Sequence, residues 1–191
     1  MWKILKKAIF LDRDGTINID YGYVHAKEDF QLIEGAEEAL LRLQELGYDL
    51  IIISNQSGIG RGYFSEEEYL AFQKYVFKSL NDKGIKITAS YYCPHTCDAN
   101  CSCRKPKTGL FEIAAKEFDI DWNKSIAIGD RYRDLTICKN RGVEGYFIRG
   151  TEVERNVEHI TSVNSLLDAA IVIMEKNNKG ACHVVSERRN G

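Results

Sequence analysis

With 191 residues and 44% hydrophobic content, the chain carries enough apolar material for one globular domain with a real core. Its 26 Lys and Arg against 28 Asp and Glu leave a formal charge of −2, which offers no general attraction to polyanions or anionic membranes and argues against nucleic acid as a partner. No window approaches the length of a membrane span, and the apolar run from Ala8 to Leu11 is too short for a signal peptide, so a soluble, cytoplasmic protein is expected; no interface signature stands out, and a monomer is the default expectation.

In chain order, "KAIFLD" (7–12) reads as a short buried strand and "AEEALLRLQELG" (36–47) as a helix closed near Gly47. "YDLIIISNQ" is a second buried strand. Ser65 with Glu68 forms a capping box that opens a helix through about Asn81, and "IKITASYYC" is a third strand. After a cysteine-rich stretch come a helix in "TGLFEIAAKEFD", a strand in "KSIAIGD", a helix in "RDLTICKNRG" and a strand in "EGYFIRG". "SLLDAAIVIME" is the last expected helix. Residues 1–176 then form one domain, and weak periodicity from 177 to 191 gives an expected mobile tail. The βα alternation predicts an α/β fold: a three-layer, mainly parallel sheet with helices on both faces and ligands at the carboxyl ends of its strands.

Chemistry-bearing residues cluster at those ends. In "LDRDGT" the alternation of an extended chain lets Asp12 and Asp14 project to one side with Arg13 turned away, while Gly15 permits a tight turn. Two carboxylates at one strand end call for a hard divalent cation such as Mg²⁺. Ser54 and Asn55 end the second strand as donors for phosphate oxygens, Asp130 ends another as a further oxygen ligand, and Lys105 supplies a fixed positive charge.

The motifs "DRDGT", "SNQSG", "RKPKTG" and "GDRYRD" occur in the order that the haloacid dehalogenase superfamily of phosphatases shows, and the chain resembles that superfamily over about residues 7 to 150. The resemblance implies attack by Asp12 on a phosphoryl group, with Asp14 as general acid and then general base. It implies Mg²⁺ held by Asp12, the main-chain carbonyl of Asp14, and Asp130, with Ser54 and Lys105 stabilising the transferring oxygens. No large cap is inserted between Asn55 and Lys105.

The stretch "YYCPHTCDANCSCRKPKTG" (91–109) places Cys93, His95, Cys101 and Cys103 as a CxH and a CxC pair, a complete tetrahedral set for a structural Zn²⁺. Cys97 is the surplus thiol and could replace Cys101. The alternatives are a metal-free cluster of reduced cysteines and a nucleic-acid knuckle; Cys138, Cys182, His159 and His183 read as bystanders, and His25 sits in a candidate substrate loop.

Within the superfamily, "DRDGTIN", "DYGYVH", "SNQSGIGRGYFSEEEY", "CPH", "CSCRKPKTG" and "GDRYRD" are similar to the histidinol-phosphate phosphatase subfamily. The resemblance implies removal of the 7-phosphate from a heptose 1,7-bisphosphate in nucleotide-heptose synthesis for surface glycans, with histidinol phosphate as the alternative substrate. It further implies substrate contacts from Asp12, Arg13, Asp14, Asp20, Tyr21, Gly22, Tyr23, Ser54, Asn55, Gln56, Ser57, Arg104 and Lys105, with Arg131 beside the metal ligand. A zinc-dependent binding protein without turnover is the reading from a different class.

Overall fold

The computed structural model describes residues 5–150 and 152–187, except for the side chains of 180–187. Short apolar runs bounded by turns pair side by side: β1 (Ala8–Leu11), β2 (Asp49–Asn55), β3 (Ile87–Cys93), β4 (Ile126–Gly129), β5 (Glu144–Ile148) and β6 (Ile160–Val163). They form one sheet in the order β3-β2-β1-β4-β5-β6, with every neighbouring pair parallel. The crossovers carry α1 (Ala36–Glu45), α2 (Ser57–Gly60), α3 (Glu66–Asn81), α4 (Gly109–Phe118) and α5 (Thr136–Arg141), and α6 (Leu166–Glu187) follows β6.

β1 shows why the strands read as unbroken apolar runs: both of its faces are covered. Ile9 and Leu11 join a core with Leu40 and Leu43 of α1, Phe72 and Val76 of α3, and Ala169 and Ile173 of α6. Ala8 and Phe10 join the opposite core with Phe111 and Ala114 of α4 and Ile137 of α5. A fully buried side chain of this size is worth about 1.5–3 kcal/mol, so the central strand is anchored from both sides. α3 begins as its sequence requires: Ser65 Oγ accepts from Glu68 N at 3.1 Å, and Glu68 Oε2 accepts from Ser65 N at 2.7 Å.

Three features differ from the sequence expectation. The segment from Arg133 to Gly142 is a 3-10 turn (Tyr132–Leu135) running into a short α5. β6 was not expected, because "ITSV" is short and half polar; it is an edge strand with only Val163 buried. α6 continues to Glu187, past the point where the pattern weakens and a tail was expected. The side chains of Cys182 and His183, and all of residues 188–191, lie outside the described residues.

The strand order reverses direction of travel between β1 and β4, and a crevice opens at the carboxyl ends of such a switch point. Asp12 leaves β1 there with its N–H donating to Ile128 O of β4 at 3.0 Å. Beyond the same edge lie Ser54 at the end of β2, the cysteine loop after β3, and Asp130 after β4.

Candidate active site

Asp12 and Lys105 form the centre of the site. Lys105 is 3% exposed; its Nζ donates to Asp12 Oδ1 at 2.6 Å and to Ile53 O at 2.5 Å, and lies 2.8 Å from Asp134 Oδ1. Burial works against a charged lysine, but Asp12 and Asp134 outweigh it and hold the Lys105 pKa above the ordinary value. Burial, opposed by Lys105 and reinforced by Asp134 and Asp130, pushes Asp12 up to about 7. Asp130 is pushed up to about 6 by burial and by Asp134, against the charge of Arg131.

Carboxylate oxygens of Asp12, Asp130 and Asp134 all lie within 4.8 Å of one another. Asp130 Oδ1 is buried and finds no hydrogen-bond partner among the described residues. An orphaned carboxylate oxygen beside two more acids fits a hard cation with oxygen ligands, so the donor set suits Mg²⁺. The turn that makes this arrangement depends on Gly15: its φ is +87°, and a Cβ there would meet Asp130 Oδ2 at 2.5 Å.

Asp14 faces the same cleft but is held separately. Arg13 Nε donates to its Oδ1 at 2.9 Å and Arg13 Nη2 to its Oδ2 at 2.8 Å, while Asn18 Nδ2 and Gln56 Nε2 donate at 2.9 and 3.0 Å. Gln56 also donates to Ser54 Oγ at 2.6 Å, which links the carboxylate to the serine. A cleft of about 290 Å³ lies above these groups, lined by Asp12, Asp14, Asp20, Gly22, Tyr23 and the run Ser54–Ser57, with Arg61, Arg104 and Arg133.

On the next loop, Cys93 Sγ lies 3.1 Å from Cys103 Sγ and 3.6 Å from Cys101 Sγ, and His95 Nδ1 lies 3.5 Å from Cys93 and 3.2 Å from Cys103. Sulfur atoms bonded to each other would be about 2.05 Å apart, and two bound tetrahedrally to one zinc roughly 3.7 Å, so the cluster has the dimensions of a metal site and not of a disulfide. Burial pushes the Cys93 thiol up to about 12, so a thiolate there needs a cation beside it. Cys97 is exposed and stands outside the cluster.

The protein-family model described as polynucleotide kinase 3 phosphatase matches residues 7–141. A D-glycero-beta-D-manno-heptose-1,7-bisphosphate 7-phosphatase from Pasteurella multocida is 47% identical over 146 residues, covering 73% of this chain and 79% of the relative. A solved D,D-heptose 1,7-bisphosphate phosphatase from B. bronchiseptica, complexed with magnesium and phosphate, superposes with a TM-score of 0.80 at 27% identity over 89% of this chain and 99% of that one. A protein from Mesorhizobium loti described as a HAD-like phosphatase gives 0.75 at 28% identity, over 89% of this chain and 88% of that one. The chain belongs to the haloacid dehalogenase-like phosphatases.

Against the sequence reading, this phosphatase brings Asp12, Asp14, Asp20, Gly22, Tyr23, Ser54, Asn55, Gln56, Ser57 and Arg104 to one cleft and sets Lys105 beneath it on Asp12. Arg13 is a correction: it is 2% exposed, its guanidinium is used on Asp14 and on Val24 O, and it packs over Phe72, so it does not face the cleft. Tyr21 is also outside the cleft lining, with its hydroxyl donating to Gln31 Oε1. Arg131 Nε lies 3.3 Å from Asp130 Oδ2, and Arg133 lines the cleft.

Asn55 also lines the cleft, and it holds the main chain of Lys105: its Nδ2 donates to Lys105 O and its Oδ1 accepts from Lys105 N. Sequence reasoning missed Asp134, Arg61 and Arg133. Asp134 stands in the "GDRYRD" motif already noted, and Arg61 in "GIGRGYF". Neither motif says which way a turn residue points. Among the described residues no helix is long and apolar enough to cross a membrane.

Proposed function

We propose that this phosphatase removes the 7-phosphate of D-glycero-D-manno-heptose 1,7-bisphosphate, acting as a cytoplasmic monomer on the free sugar in nucleotide-heptose synthesis. The observation that carries the reaction is the Asp12 carboxylate, clasped by Lys105 at 2.6 Å in a cleft that also presents Asp14. The heptose substrate rests on the relatives, whose names specify it. A formal charge of −2 and an arginine-lined cleft fit a small phosphate ester better than a nucleic-acid strand.

Asp12 is the nucleophile: its free oxygen attacks phosphorus, the bond to the sugar oxygen breaks, and the phosphoryl group passes to Asp12. Asp14 gives its proton to the departing alkoxide, then removes a proton from the water that cleaves the aspartyl-phosphate and returns Asp12 as a carboxylate. Arg13, Asn18 and Gln56 orient Asp14 for both transfers. The charge of Lys105 opposes the rise that burial imposes on Asp12, and Lys105 with Ser54 stabilises charge on the transferring oxygens. Asp12, the main-chain carbonyl of Asp14, and Asp130 would hold Mg²⁺, which when bound offsets the repulsion between a carboxylate nucleophile and a phosphate anion. Zinc in the Cys93, His95, Cys101, Cys103 loop would be structural, since four protein ligands leave no open position.

The test is phosphate release from both anomers of the heptose bisphosphate, histidinol phosphate, fructose 1,6-bisphosphate and a 3′-phosphorylated oligonucleotide, with Asp12→Asn as the control lacking a nucleophile. The expected result is the highest kcat/KM on a heptose bisphosphate, with the 7-phosphate released. Preference for histidinol phosphate or the oligonucleotide would overturn the substrate, and turnover of none of them would favour a binding protein.

A further inference from the structure

Arg61 stands in a turn that the fold holds from both sides. Arg61 N donates to Ser57 O at 3.0 Å and Tyr63 N to Gly58 O at 2.9 Å, closing the chain on itself. Gly60 N donates to Pro94 O of the cysteine loop at 2.9 Å, and a Cβ at Gly60 would meet that oxygen at 2.7 Å, so only glycine lets the turn seat there. On the other side, Tyr63 meets Tyr23 edge-on at 4.8 Å and Phe64 stacks on His25 at 4.3 Å, joining the turn to the 20–25 loop. The turn therefore connects the two loops that border the cleft, with Arg61 on the cleft lining.

Its guanidinium is also free to bind. Among the described residues Arg61 has no ion pair and no side-chain hydrogen bond. Asp98 feels its charge, but behind hydrogen bonds from Thr96 and from its own main chain. The other two cleft arginines are partly committed: Arg104 Nη1 donates to His95 O at 3.1 Å, and Arg133 Nε lies 4.0 Å from the buried Asp134. Lys105 is held at the base of the cleft by Asp12, Asp134 and Ile53, beside the group that reacts and not beside the rest of the substrate. A second phosphate on the substrate must find its cation elsewhere, and an unpaired guanidinium on a rigid turn presents two parallel donors for it.

We propose that Arg61 binds the non-reacting phosphate of the substrate and sets the preference for a bisphosphate over a monophosphate; this rests on the sugar-bisphosphate reading above. The experiment compares kcat/KM for heptose 1,7-bisphosphate and heptose 7-phosphate in the magnesium- and zinc-loaded wild type, Arg61→Ala and Arg61→Lys. The preference for the bisphosphate should fall roughly tenfold to a hundredfold in Arg61→Ala, mostly through KM, as expected for loss of a charge-assisted hydrogen bond, with Arg61→Lys between. Equal losses on both sugars, or an unchanged preference in a wild type that has one, would overturn the inference alone. A wild type that hydrolyses both sugars equally would overturn the bisphosphate reading and this inference with it.

Discussion

Asn55 grips Lys105 by the main chain on both sides of its Cα: Asn55 Nδ2 donates to Lys105 O at 3.0 Å, and Lys105 N donates to Asn55 Oδ1 at 3.0 Å. The end of β2 is thereby tied to the exit of the cysteine loop, and the lysine so fixed reaches across to Asp12 at the end of β1. Three strand ends are registered through one amide side chain. Asn55→Ala should therefore act on the chemical step: kcat falls roughly a hundredfold, as for a catalytic group displaced by about an ångström, with KM little changed and zinc content intact. Asn55→Asp, which keeps the shape but sets a carboxylate against the Lys105 carbonyl, should behave alike. Steady-state kinetics with metal analysis decide it; a raised KM at unchanged kcat would make Asn55 a substrate contact instead.

The parts of the site that were legible in the sequence are those carried by local patterns. Strand alternation gives Asp12 and Asp14 one side, and the turn after β1 brings them to one cleft. The same alternation turns Arg13 away, which is where the structure puts it, buried on Asp14; its expected substrate contact came from the resemblance and conflicts with the pattern. Asp134 was illegible because its partner, Lys105, arrives from a different strand end, and no local pattern reports an ion pair across the switch point. Arg133 and Arg131 differ only in their place on a 3-10 turn whose phase cannot be read from "RYRD". For the fold, the central strands were plain because two covered faces demand continuous apolar runs, whereas the edge strand β6 has just one buried residue to announce it.

Zinc removal should propagate to catalysis through the same connection. Cys103 is directly followed by Arg104, which lines the cleft, and Lys105, which holds Asp12. Cys103→Ser is expected to lose the roughly one zinc per chain, lower the Tm and reduce kcat together, because a loop this short has little apolar material of its own to fix it. Cys97→Ser, at an exposed thiol outside the cluster, should keep zinc. Metal analysis of freshly purified, reduced protein alongside thermal melts checks both. Zinc retained in Cys101→Ser and lost in Cys97→Ser would mean that Cys97 is the ligand in place of Cys101.

The acidic cluster predicts how magnesium and pH act on stability. Asp12 and Asp130 are raised to about 7 and about 6, in each case first by burial, so the folded protein binds protons that the unfolded chain has released. Where the folded state holds more protons, stability falls as pH rises; the metal-free protein should weaken from about pH 4 up through about pH 7. Magnesium held on these carboxylates would take the place of those protons. The Tm gain on adding it to zinc-loaded protein should be small near about pH 5 and larger near about pH 8, where the carboxylates are bare. Asp130→Asn, which removes one of the clustered charges, should shrink both the pH slope and the magnesium gain. Melts at the two pH values with and without magnesium test this, and a gain that is equal at both, or larger in acid, would show that the cation is held somewhere other than on these carboxylates.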